Sequence, residues 1–160
     1  MAGLDAGLLY NEFPLMGGRL APPKDELMNP AYAVKSDKSD LWWRNIFENP
    51  TTVQFDHRVL AMATYASTAV LYGSTVLNPA LKAALPVFTK RVTAAAFGIA
   101  NLQVLLGIST LLYLVPVPLA AAHQAGSILL LSSMIALAMT LRRPGAVAQM
   151  WRKRKLLTPS

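Results

Sequence analysis

From Val92 to Leu141 the chain carries no Asp, Glu, Lys or Arg, and Pro116 and Pro118 interrupt this apolar run near its middle. A bilayer core takes about 20 apolar residues at ~1.5 Å rise each, so the run is long enough to cross, turn and cross back. Upstream, Asn49-Pro50 places a cap residue before a proline at the first helical position. The stretch after it has no charge between Arg58 and Lys82, which predicts a first full span over 52–77. Asn78-Pro79 repeats the start signal and opens a short basic segment with Lys82, Lys90 and Arg91. The pattern then predicts spans over 92–114 and 119–141. V-P-V-P forms the turn between them, because proline cannot continue the helix. Arg142-Arg143-Pro144-Gly145 closes the third span.

The chain before Asn49 reads differently. Residues 1–9 are apolar but too short to span, so they are expected to be the stub of a helix that begins upstream. Residues 10–51 form an extramembrane loop, with Pro14, Pro22, Pro23, Pro30 and Gly17-Gly18; a loop this long in a compact protein is usually functional. Near its end, Leu41, Trp42, Trp43, Ile46 and Phe47 suit a short helix lying in the headgroup region. The fold class expected is an all-α integral membrane protein: stub 1–9, loop 10–51, a three-helix membrane bundle over 52–143, and a basic tail over 144–160.

Composition agrees. Hydrophobic residues make up 54% of 160, and mean hydropathy is +0.38. Every acid lies at or before Asp56, while Arg58, Lys82, Lys90, Arg91, Arg142 and the tail bases follow, so the net charge of +7 is a topological signal. The bases cluster at span ends without interleaved aromatics, which excludes nucleic acid as partner. By the Lys/Arg bias, the Lys82–Arg91 connector and the tail face the cytoplasm or matrix, and the loop and the Pro116–Pro118 turn face the opposite compartment. The absence of cysteine excludes a disulfide framework, a thiolate-held cluster and a c-type heme. The N-terminal segment is not expected to act as a cleavable signal, since Asp5 precedes any base.

His57 and His123 are the only histidines. With spans starting near 52 and 119, each lies four or five residues inside, roughly 6–8 Å below the same interface, on helices expected to run parallel. Two imidazoles at matched depth are the donor set of a bis-His b-type heme, with Fe–N bonds of about 2 Å. Zinc normally asks for four protein ligands, and the spans offer no Cys or carboxylate beside His123. The competing reading makes each histidine a polar residue facing a water-filled vestibule. Gly126, three residues after His123, is a candidate for close approach to a flat macrocycle; generic small-residue packing explains it equally well. Arg58 is a candidate propionate contact, or else it snorkels to lipid phosphate. Ser109 and Thr110 either face the site or bond their own backbone. Gln103 and Asn101 lie on opposite faces, so at most one is turned towards the site. Met62, Met134 and Met139 are expected to pack.

G-L-D-A-G-L-L-Y-N-E-F-P-L-M-G-G (3–18), F-E-N-P-T-T-V-Q-F-D-H-R (47–58) and N-L-Q-V-L-L-G-I-S-T-L-L-Y-L-V-P-V-P-L-A-A-A-H-Q-A-G-S (101–127) closely resemble the C-terminal half of heme A synthase, the cytochrome oxidase assembly protein of mitochondria and many aerobic bacteria. P-P-K-D-E-L (22–27) resembles its mitochondrial, fungal-like branch. The resemblance implies an eight-helix fold of two related four-helix halves in the mitochondrial inner membrane. The N-terminal half there holds heme O, whose C8 methyl is oxidised to the formyl of heme A. The C-terminal half carries heme b on two histidines matching His57 and His123. The resemblance also implies that this chain lacks the N-terminal half, so no catalytic residues are expected within it and the enzyme label belongs to the family. Heme O through the missing half, the lipid bilayer, a homo-oligomer and cytochrome oxidase assembly factors are the partners expected. The alternative is a non-catalytic membrane heme-binding module for electron transfer or assembly.

Overall fold

The computed structural model describes residues 4–142. In chain order its helices are α1 (Lys24–Leu27), α2 (Leu41–Glu48), α3 (Pro50–Leu77), α4 (Pro79–Ala84), α5 (Val87–Leu112) and α6 (Val117–Leu141), with 3₁₀ turns at Ala6–Leu8 and Pro30–Tyr32. The helices α3, α5 and α6 are long and apolar enough to cross a membrane. They are the three expected spans, with shifted ends. Asn49 starts α3 by accepting the Thr51 N–H at 3.0 Å, and Asn78 caps α4 through the Ala80 and Leu81 N–H groups. Pro86 breaks the chain after α4, so α5 begins at Val87 and takes Lys90 and Arg91 into its first turns.

At the other end of α5, Leu114 and Val115 turn left-handed at φ 60° and 56°. Val115 N–H closes the helix by donating to the Thr110 carbonyl at 2.8 Å. The turn therefore lies over residues 113–116. Pro118 falls inside the first turn of α6, where its missing N–H leaves nothing unpaired.

The central helix is α5, packed on α6 along one side and α3 along another. Its buried positions are Thr89, Thr93, Ala96, Ala100, Gln103 and Thr110, a seam of mostly small residues that steps by four and three as far as Gln103 and then by two turns to Thr110. Such residues let membrane helices approach closely, where no hydrophobic force holds them together. Tyr65 donates 3.1 Å to Asn101 Oδ1, and Tyr72 stacks on Phe97 at 4.8 Å. These pairings make α3 antiparallel to α5. Contacts of Gln103 and Gly107 with Gly126 and His123 do the same for α6. An interhelical bond of the Tyr65 kind stabilises by about 0.6 kcal/mol, at most ~1.7. Leu60, Val70, Leu105, Ile128 and Leu131 stay exposed, as lipid-facing side chains do.

The polar segment before α3 is held by side chains of that helix. Thr52 donates to the Leu27 carbonyl at 2.6 Å, Asn49 to that of Glu26 at 2.7 Å, and Gln54 to that of Tyr10 at 3.1 Å. Asn45, fully buried in α2, accepts the Asn29 N–H and donates to its carbonyl. Loop backbone groups that would otherwise need water are thereby paired. The buried Asp40 carboxylate accepts N–H groups of Val34 and Lys35 and the Arg44 guanidinium. Burial by itself raises this carboxyl, but those donors outweigh it and hold the pKa below the ordinary value. The other face of α2 leaves Trp42 and Phe47 exposed. Of the stub expected over 1–9, residues 4–9 are described. They form the turn Ala6–Leu8, whose Ala6 is buried and whose Gly7 abuts Val115. The basic tail over 144–160 lies outside the described residues.

Candidate functional site

The two histidines come together. His57 stands in the second turn of α3 and His123 near the start of α6, with ring centroids 6.2 Å apart and planes inclined at 72°. They meet because α3 and α6 run parallel on either side of α5, so residues a similar distance past each helix start share a level. Two Fe–N bonds of about 2 Å, with roughly 1 Å more from each nitrogen to its ring centre, put the imidazoles of a bis-His heme about 6 Å apart. The observed spacing fits. Among the described residues there is no group of three or more His, Cys, Asp or Glu able to hold a metal ion. A porphyrin asks the protein for two donors, and this site offers two.

The surroundings of the rings are unequal. His57 is exposed on the flank of the bundle. His123 is half-buried against α5, where its ring lies over Gly107: a Cβ there would come within 3.0 Å of Cε1. Its Nδ1 is buried with no hydrogen-bond partner. Gly107 was not singled out in the sequence, since it sits on the small-residue seam and reads as packing. Gln103 is the member of the Gln103–Asn101 pair that faces His123, donating 2.9 Å to its carbonyl. Asn101 bonds Tyr65 and the Phe97 carbonyl instead.

The other sequence candidates divide. Gly126 is buried against Gln103, whose Oε1 would lie 2.7 Å from an added Cβ. Thr110 bonds the Leu106 carbonyl of its own helix at 2.7 Å. Met62 and Met139 are exposed on the bundle surface. Arg58, beside His57, donates to the carbonyls of Leu15 at 2.8 Å, Glu12 at 2.9 Å and Tyr10 at 3.0 Å. Its guanidinium ties residues 10–15 to α3 at the histidine level, a role that its sequence neighbourhood does not reveal.

Fold and site together define a helical membrane protein with a pair of facing histidines on parallel helices. The chain belongs to the family of cytochrome oxidase assembly proteins (COX15-CtaA), whose sequence profile matches residues 1–135. It is 46% identical over 142 residues to the heme A synthase–mitochondrial ferredoxin fusion protein of Schizosaccharomyces pombe, covering 88% of this chain and 23% of that protein. With heme A synthase COX15 of Saccharomyces cerevisiae it shares 43% over 146 residues, 91% of this chain and 29% of the relative. With the Bos taurus heme A synthase COX15 it shares 46% over 143 residues, 89% and 31%. The chain thus spans a quarter to a third of the length of these relatives. No solved structure matches it.

Proposed function

We propose that this chain carries the heme b site of a heme A synthase, the enzyme that oxidises the C8 methyl of heme O to the formyl of heme A for cytochrome c oxidase biogenesis. The observation that carries this reading is the pair of imidazoles 6.2 Å apart on parallel membrane helices. His57 from α3 and His123 from α6 would be the two protein ligands holding the heme iron. Bound there, heme supplies one-electron redox chemistry at iron. The chain's own residues orient and shield. His123 is backed by Gly107, and the exposed flank of His57 is where a macrocycle would find room. Arg58 holds residues 10–15 over that end of the bundle. A propionate contact from Arg58 competes with these carbonyl acceptors. Gly126, filled by Gln103, supports helix packing more directly than it supports heme approach. The relatives' names support heme A biosynthesis as the process, and their mitochondrial members support the mitochondrial inner membrane as the proposed compartment. Conversion of heme O is a property proposed for the whole family protein.

A reduced-minus-oxidised visible spectrum of the purified chain tests the site. We expect a low-spin six-coordinate b-type spectrum, lost in His57→Ala and in His123→Ala, because one imidazole leaves iron five-coordinate or lets heme escape. An unchanged low-spin spectrum in both single variants removes the bis-His assignment.

A further inference from the structure

Gln103 is 8% exposed on the seam of α5 and uses its amide unevenly. Its Nε2 donates to the His123 carbonyl at 2.9 Å, while its Oε1 is buried without a partner. Other buried polar side chains of the seam behave differently: Thr93 and Thr110 return their hydroxyls to carbonyls of their own helix. An amide that leaves half its capacity unpaired inside a bilayer is costly. Its one bond goes to the residue that also presents an imidazole to His57.

The room for that bond is specific. An added Cβ at Gly126 would lie 2.7 Å from Gln103 Oε1 and 3.0 Å from its Cδ. One turn along α5, Gly107 gives the same kind of room to the His123 ring. The backbone of His123 is thus held by one residue of α5 and its side chain seated on another. Two buried atoms beside this contact lack partners, Gln103 Oε1 and His123 Nδ1. They are complementary once Nε2 is committed to iron, since Nδ1 then carries a proton and the amide oxygen is an acceptor. A metal-bound histidine almost always gives its second N–H to such an acceptor, which fixes its ring plane and strengthens it as a ligand.

We propose that Gln103 is the positioning residue of His123: its amide N–H pins the His123 carbonyl to α5, and its Oε1 receives the imidazole Nδ1–H, directly or across one water. Gly126 and Gly107 are the clearances that let it do so. This inference rests on the heme reading above. Loss of the Oε1 acceptor weakens the imidazole as a donor to iron, so the reduction potential rises and the ring plane is freed to turn.

The test uses the 160-residue chain purified with heme, read by low-temperature electron paramagnetic resonance and by redox titration. In Gln103→Leu, at an unchanged heme-to-protein ratio, the low-spin gmax should move and the potential should rise. Gln103→Glu, measured at acidic pH where the side chain is a neutral donor, should return both towards the parent values. Thr93→Val, a buried polar change on the same seam away from His123, should leave both in place. Where Gln103→Leu fails to fold, Gly126→Ala decides, because it displaces the amide without removing a polar group and should reproduce the shift. Heme-bearing Gln103→Leu or Gly126→Ala with unchanged gmax and potential overturns the proposal, as does an equal shift in Thr93→Val. A heme-free readout separates this failure from failure of the heme reading. The ¹⁵N resonances of the His123 ring in the apo chain should move in Gln103→Leu and stay in Thr93→Val, and immobile resonances in both overturn the role of Gln103 whatever the chain binds.

Discussion

His57 and Arg58 are adjacent in sequence but face different tasks, and only the first was legible there. A histidine a few residues inside an apolar span announces itself by chemistry, and its match with His123 follows from counting residues from two helix starts. The partners of Arg58 are carbonyls of residues 10, 12, 14 and 15, more than forty positions upstream, and no spacing rule reaches that far. Gly107 was hidden for another reason, because a glycine that seats an imidazole looks like one that seats a neighbouring helix. Hydrogen bonds to a charged donor contribute about 1.5–3 kcal/mol each where both groups are shielded, and Arg58 is partly exposed, so we take about 2 kcal/mol in all for its set. Arg58→Ala should therefore raise the opening of residues 10–19 about thirty-fold, seen as faster cleavage by a limiting protease under conditions where opening pre-equilibrates. Equal cleavage of variant and parent would show that Gln54, with Asn11 donating to the Leu111 carbonyl at 3.0 Å, holds the segment unaided.

At the scale of elements, the starts were legible wherever a cap residue precedes proline, as at Asn49-Pro50 and Asn78-Pro79. The ends were harder. The turn between α5 and α6 depends on two left-handed residues, Leu114 and Val115, which are types that seldom adopt that conformation, so the V-P-V-P pattern places the turn two residues too far along. The internal order of the loop was also out of reach, since it comes from Asn45, Asn49 and Thr52 bonding distant backbone. Asp40 organises the start of α2, and its pKa lies below the ordinary carboxylate value because the Val34, Lys35 and Arg44 donors outweigh its burial. A carboxyl depressed in the folded state adds stability above its unfolded value of about 3.9 and loses it as pH falls through the folded value. Fluorescence of Trp42 and Trp43 should thus stay constant from pH 7 to about 5 and change only below about 4. In Asp40→Asn the acid-induced change should be absent, the loop being already loosened at neutral pH. A transition near pH 6 in the parent chain would assign the control of α2 to another group.

At the scale of the whole molecule, the loop and the basic residues occupy opposite ends of one bundle. Residues 4–49 pack around the start of α3 and the turn before α6. Lys82 and Lys90 meet at the far end, where the Lys90 ammonium donates to the Lys82 carbonyl at 3.0 Å. Arg142 follows α6 at that same end. Lysine and arginine are retained on the side from which a membrane protein inserts, and short segments near span ends carry the bias. Lys82, Lys90, Arg91, Arg142 and Arg143 sit in such segments, whereas the loop bases are dispersed among six acids from Glu12 to Glu48. In the inner membrane proposed above, this bias predicts that the Lys82–Arg91 connector faces the matrix and the histidine end of the bundle the intermembrane space. The loop offers a cleavage site for trypsin at Lys35 and Lys38, both exposed, with Lys38 at φ 55° in a surface turn. Trypsin added to mitoplasts bearing the chain with a C-terminal epitope should cut at Lys35 or Lys38 and leave the epitope attached to α6. Removal of the epitope with the loop intact would reverse the orientation, and the histidine pair would then open towards the matrix.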